Sequence, residues 1–174
     1  NYNEVLYDKG AYEKAYPAST TKVMTALLVL EAIENGQLSP STMVTAGPTR
    51  MQDIPSGAGY VVASLKEGEV MSVEDLLYCV MLPSAADAAN VLAVEVDGTI
   101  EDFVAHMNRK AGELGCQNTH FTNTAGMHSE DHYSTAYDLA LIFQAALEYD
   151  LFRTIIKTAA YTVPATNLSA ERYF

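Results

Sequence analysis

The sequence has no tryptophan and only two cysteines, Cys79 and Cys116. Two thiols are too few for a disulfide framework, and neither sits in a C-x-x-C pair. Cys79 lies inside LLYCVML and reads as a small buried hydrophobe. Basic residues are also scarce. Ten Lys and Arg stand against 22 Asp and Glu, giving a net charge of -12. That argues against nucleic acid as a partner, since phosphates need a basic face. It equally disfavours docking on anionic lipid. No apolar run reaches the length needed to span a bilayer; the longest, Val23 to Ile33, is broken by Thr25 and Glu31. No signal-peptide pattern opens the sequence, which leaves location undecided. Repeats, low-complexity tracts and long linkers are lacking too.

What is present is a chain of 174 residues, 49% of them apolar, enough for one domain with a real core. Helical patterns dominate. The first runs from about Thr20 to Glu34 and stops at Asn35-Gly36. SVEDLLYCVML follows, with Ser72 and Asp75 at capping-box spacing and Pro83 just beyond its end. A third helix starts after Ser84, and Ser84 and Asp87 again stand at capping-box spacing. Thr99 and Asp102 open a fourth that Gly115 closes, Thr135 and Asp138 open a fifth, and Leu151 to Lys157 forms a short sixth. Strands are expected at NEVLYDKG (residues 3–10), GYVVASL (59–65) and AAYTVPA (159–165). AGPTRMQDIPSGAG reads as a loop. The fold class is therefore α+β, with a dominant helical region and a sheet that looks incomplete.

Chemistry concentrates in YPASTTKVMTALLVLEAIENG, Tyr16 to Gly36. Ser19 and Lys22 are three apart, about one helical turn. The helix behind them is apolar on all sides, so it is expected to be buried centrally. An amine at its head loses solvation in the charged form, and its pKa should fall. It could then take the proton of the Ser19 hydroxyl and make it a nucleophile. A bare S-x-x-K arises by chance about once in a chain of this size. Capping by Ser19 and a Lys22 head reaching out to water are the plain alternatives. His128 and His132 are four apart, but GMHSEDHYST is loop-like, so no metal site is expected.

YPASTTKVMTALLVLE resembles the active-site segment of the D-alanyl-D-alanine carboxypeptidases, the low-molecular-weight penicillin-binding proteins. LKEGEVMSVEDLLYCVMLPSAADAANVLA (65–93) and MNRKAGELGCQNTHFTNTAGMHSEDHYSTAYDLALI (107–142) agree in order and spacing, so the resemblance covers nearly the whole chain. It implies the β-lactamase/transpeptidase-like fold. It implies a serine peptidase that removes D-alanine from peptidoglycan stem peptides through an acyl-enzyme, and that β-lactam antibiotics acylate covalently. Carried over by position, Ser19 is the nucleophile, Lys22 its general base, and Ser84, first residue of the second motif, part of the proton relay to the leaving group. The Ser19 N–H would supply half of the oxyanion hole. No cofactor and no metal are implied. Location would be extracytoplasmic, in a bacterial cell envelope, with any membrane anchor outside these residues.

Two departures stand against that pattern. The family's second motif reads S-x-N, and here it is Ser84-Ala85-Ala86. Loss of the amide's hydrogen bond costs about 1–3 kcal/mol. The third motif, K-[ST]-G, is absent; Lys157-Thr158-Ala159 lacks the glycine and lies in a helical pattern. Residues 1–174 are therefore expected to be one partial transpeptidase-like domain, missing an N-terminal strand and the K-[ST]-G strands, with little turnover of its own. The substrate-binding groups remain unknown for that reason. Two other functions fit Ser19 and Lys22. One is an impaired penicillin-binding homologue with an envelope binding or scaffold role. The other is a class A β-lactamase, disfavoured because FTNTAGMHSEDHYSTAYD resembles the carboxypeptidases instead.

Overall fold

The first full helix, α1 (Lys22–Glu34), has no polar face. Met24 to Leu30 are all buried, as is Ala32, so every side of the helix meets protein. Its neighbours form a shell around it: α2 (Val73–Met81), α3 (Ala86–Asp97), α4 (Ile100–Glu113), α5 (Ala136–Ala146) and α6 (Asp150–Lys157). The computed structural model describes residue 5, residues 7–56 and residues 59–174. Ala86, Ala88, Ala89 and Ala93 of α3 are fully buried, and small side chains there allow it to pack closely on its neighbours. Cys79 of α2 is buried as expected, and burial pushes its thiol up to about 12.

Three of the expected caps form. The hydroxyls of Ser72, Thr99 and Thr135 accept from the backbone N–H groups of Asp75, Asp102 and Asp138. The fourth does not. The residue at the N-cap of α3 is Ala85, with no side-chain cap. Ser84 lies one residue earlier with φ at +66°, which turns its side chain away from the helix start.

Asp87, paired with Ser84 in the sequence reading, has another task. Its two carboxylate oxygens accept from the N–H groups of Ala63 and Leu65, at 2.8 and 2.9 Å. This also explains why residues 59–65 are not a strand. The alternate N–H groups that a ladder would use are taken by one carboxylate, and Ser64 between them adopts φ of +58°. Of the strand expected at 3–10, residues 3, 4 and 6 lie outside the described residues, and the described part, residue 5 and residues 7–10, is irregular.

The strands that do form are short. β1 (Met43–Thr45) pairs antiparallel with β2 (Val70–Ser72), and β3 (Thr162–Val163) with β4 (Arg172–Tyr173). β3 lies within the expected segment 159–165, and its partner is the closing stretch of the chain. Glu69 ties the two pairs together. Its buried carboxylate accepts from Lys66 N, the Thr166 hydroxyl and Arg172. Burial alone would raise its pKa, but these three donors outweigh burial and hold it below the ordinary value. Tyr161 stacks on Tyr78 at 3.6 Å and donates to Asp75, which docks this corner onto α2.

Asp87 is fully buried; its Oδ1 also accepts from Ala88 N, and both loop N–H groups it serves belong to buried residues. Asp87→Ala is expected to lower stability by on the order of 2–6 kcal/mol, at about 1–3 for each orphaned donor. Urea unfolding of the two proteins measures the difference.

Candidate active site

Ser19 sits in a short 3₁₀ helix, Ala18–Thr21, that runs directly into α1. In 3₁₀ geometry residues three apart eclipse, so Lys22 stands over Ser19. The Lys22 Nζ is 3.3 Å from Ser19 Oγ and donates to the carbonyl oxygen of Ala125 at 2.7 Å. Lys22 is only 4% exposed, which rules out a head reaching into water, whereas Ser19 is exposed. Burial lowers the Lys22 pKa from 10.5 to about 8. Among the described residues no carboxylate forms an ion pair with it and no backbone carbonyl accepts from the Ser19 N–H. The pair thus has a dry amine behind an accessible hydroxyl with a free N–H.

Ser84 is on the connection between α2 and α3, half-buried. Its hydroxyl has no hydrogen-bond partner among the described residues, and no direct bond joins it to Ser19 or Lys22. Ala86, two residues on, is buried at the start of α3, and its N–H donates to Val61 O. Two cavities lie elsewhere. A groove of about 410 Å³ runs beneath Pro83, between Leu82, Ile155 and Phe174. Another, apolar and about 360 Å³, lies between Val23 and Phe143. Neither is lined by Ser19, Lys22 or Ser84.

The segment facing Ser19 is one to which sequence reasoning gave no role of its own. Asn123-Thr124-Ala125-Gly126 turns so that the Ala125 carbonyl meets Lys22. Gly126 has φ of +90°, and a Cβ there would lie 1.8 Å from the carbonyl oxygen of Ala18. Only glycine permits that approach. Ala18 itself is held at φ of +48°, an uncommon conformation for alanine. The available signal was an Asn three residues before a Gly, a turn signature. His132, which the sequence placed in a polar loop, is buried beneath the same turn. Thr122 N donates to its Nδ1, so Nε2 carries the proton and donates to Thr21 Oγ1 at 2.8 Å. Burial lowers its pKa to about 4, with His120 and His128 adding to the effect. His128 packs edge-on against Tyr16.

Ser19 on a turn leading into a buried helix, with Lys22 one turn on, has the arrangement that the sequence resemblance implies, and solved structures of the transpeptidase/β-lactamase-like fold superimpose on the chain. Penicillin-binding protein 6B from Escherichia coli superimposes with a TM-score of 0.86 at 31% identity, over 94% of this chain and 52% of that one. The Streptomyces K15 DD-transpeptidase gives 0.85 at 34% identity, over 97% and 66%. In sequence, D-alanyl-D-alanine carboxypeptidase DacF of Bacillus subtilis is 39% identical over 147 residues, 84% of this chain and 36% of the relative. The chain spans little more than a third of that relative's length. The model of the D-alanyl-D-alanine carboxypeptidase family, peptidase family S11, matches residues 1–170. The chain belongs to that family.

Gly126→Ala is expected to force Ala18 and Ser19 apart from the turn, lowering stability by on the order of 1–3 kcal/mol from backbone strain alone. Thermal unfolding measures this. For His132 the folded pKa lies below the unfolded one. Its contribution is complete above about pH 6.5 and is lost as pH falls toward 4, because the unfolded chain takes up the proton first. Unfolding midpoints followed from pH 7 to 4 should fall through that window, and less steeply in His132→Gln.

Proposed function

We propose that the protein is a serine-type D-Ala-D-Ala carboxypeptidase acting on peptidoglycan stem peptides. The reading rests on one observation above the others: a buried amine 3.3 Å from an exposed serine hydroxyl, in a member of this family. In this scheme Ser19 Oγ attacks the carbonyl carbon of the D-Ala-D-Ala amide while neutral Lys22 takes its proton. The oxyanion draws on the Ser19 N–H. Ser84, first residue of the second motif, passes a proton to the amine of the departing D-alanine. Water then releases the shortened peptide from Ser19. β-Lactams would enter by the same first step, their ring opening as the Ser19 ester forms. Residues 1–174 would supply the helical part of a transpeptidase-like domain, with the K-[ST]-G strand and the carboxylate-binding cation lying outside them. Action on peptidoglycan would put the protein outside the cytoplasmic membrane of a bacterium.

Ala86 favours one variation on this reading. An alanine where the family carries an amide removes a hydrogen-bonding group from beside the substrate. The cost is about 1–3 kcal/mol, or roughly one to two decades in rate if it is felt in the transition state. A slow enzyme that binds penicillin and serves as an envelope binding protein fits that loss.

Mass spectrometry of the parent protein after penicillin treatment is expected to show one covalent adduct, absent in Ser19→Ala. Lack of any adduct in the unaltered protein would sink the proposal. D-alanine release from a stem-peptide mimic marks the enzyme; an adduct without release marks the binder, and rapid drug hydrolysis a β-lactamase. Acylation should rise with pH through about 8, as Lys22 gives up its proton and becomes the base. A rate flat between pH 6.5 and 9.5 would remove Lys22 from that role.

A further inference from the structure

Lys22 meets two groups, and one of them is a backbone carbonyl that needs to be held in place. The hold comes from Asn123. Its Oδ1 accepts from three successive N–H groups, those of Ala125 at 3.2 Å, Gly126 at 2.7 Å and Met127 at 2.9 Å. Its Nδ2 donates to Met127 O at 2.9 Å. Asn123 is itself buried, so the four bonds form away from water. A second tie comes from α1, where the Thr25 hydroxyl donates to Thr124 O at 2.6 Å. The Thr124 hydroxyl in turn donates to Asn90 Oδ1 at 2.5 Å, and Asn90 Nδ2 donates to Arg50 O and Gln52 O. The peptide units on both sides of Ala125 are therefore fixed.

We propose that Asn123 is a positioning residue for Lys22: by gathering the N–H groups of residues 125–127 it fixes the Ala125 carbonyl as the acceptor that keeps the amine dry and aimed at Ser19. The chemistry follows from valence. A neutral amine has two N–H bonds and one lone pair. With one N–H on the Ala125 carbonyl, the lone pair is free to face the Ser19 hydroxyl and accept its proton. An unpinned amine would rotate about its Cδ–Cε bond and lose that aim. The role weighs more here than it would beside an S-x-N motif, because Ala86 offers Lys22 no amide. Charged groups on the surrounding elements are engaged elsewhere. Asp75 of α2 binds Ser72 and Tyr161, and Asp87 of α3 binds Ala63 and Leu65. Lys110 of α4 pairs with Glu31 and Glu113, Asp138 of α5 takes Asn118 and Thr119, and Arg153 of α6 pairs with Asp150. His132 meets Thr21 through Nε2 and approaches the Asn123 amide nitrogen with Nδ1 at 3.4 Å, and burial keeps it neutral.

The inference rests on the carboxypeptidase reading for its purpose but can be tested apart from it. The chain has six lysines, so ε-¹³C-lysine NMR resolves the titration of Lys22, assigned by its loss in Lys22→Arg. Lys22 is expected to titrate near 8 in the unaltered protein. In Asn123→Ala the loosened turn should admit water to the amine; relief of burial, which holds the pKa down, should outweigh loss of the carbonyl acceptor and move the titration up by at least one pH unit, toward 10.5. Thr25→Val, which keeps the side-chain shape, should move it the same way by less, and decides the matter if Asn123→Ala does not fold. Thr99→Ala, which removes a distant cap on α4, should leave it unmoved. A folded Asn123→Ala in which Lys22 titrates unchanged or lower overturns the inference, as does an equal shift in Thr99→Ala. If the unaltered protein shows the Lys22 titration and its loss of hold in Asn123→Ala, but no penicillin adduct, the carboxypeptidase reading fails and this one stands. Where acylation is observed, the rising limb of its pH profile should shift with the lysine.

Discussion

Everything at the candidate site depends on keeping one amine out of water. A lysine at the head of an ordinary amphipathic helix would find solvent along the polar face. α1 has no polar face, so Lys22 has nowhere to send its charge. The resulting shift from 10.5 to about 8 corresponds to on the order of 3 kcal/mol of disfavour for the ammonium form. The whole shell of helices shares in that effect, since each covers part of α1. A core that serves stability therefore also sets the protonation of Lys22.

Strain is the second element of the design. Four non-glycine residues of the described chain have positive φ, and two of them are Ala18, beside Ser19, and Ser84. Such conformations cost of order 1–3 kcal/mol each and persist only when packing over-determines them. At Ala18 the determinant is visible: its carbonyl is pressed against Gly126, whose missing side chain makes the contact possible. At Ser84 the strained backbone frees the hydroxyl from the capping role that its sequence neighbours suggest. Ser84 and Asp87 have the spacing of a capping box, yet one carboxylate serves a distant loop and the hydroxyl serves no helix.

The helices were legible because their signals are local. Ser72, Thr99 and Thr135 cap helices that their own next three residues define. The Ser19–Lys22 pair was legible for the same reason, being one turn of a single element. What escaped was set by partners far along the chain. Residues 59–65 have a strand's composition, but Asp87, more than twenty residues later, claims their N–H groups. β1 and β2 are three residues each, too short for alternation to show. The turn at Asn123 gains its importance only when α1 lies against it, with about one hundred residues between Lys22 and the carbonyl it meets.

On the proposed reading Ala86 stands where the resemblance would put an asparagine, and its effect on Lys22 then has a definite sign. An amide oxygen beside an ammonium stabilises the charged form, so its loss favours the neutral amine. The lysine is then more often ready to accept a proton, but fewer groups hold it and the substrate in register. Readiness and aim are separate quantities. Burial in α1 supplies the first without help from position 86. The second must come from whatever still touches the amine, and among the described residues that is Ser19 and the Ala125 carbonyl. A site that loses a side-chain contact in this way leans harder on backbone geometry, which is why a turn built on four hydrogen bonds and one obligatory glycine faces the amine.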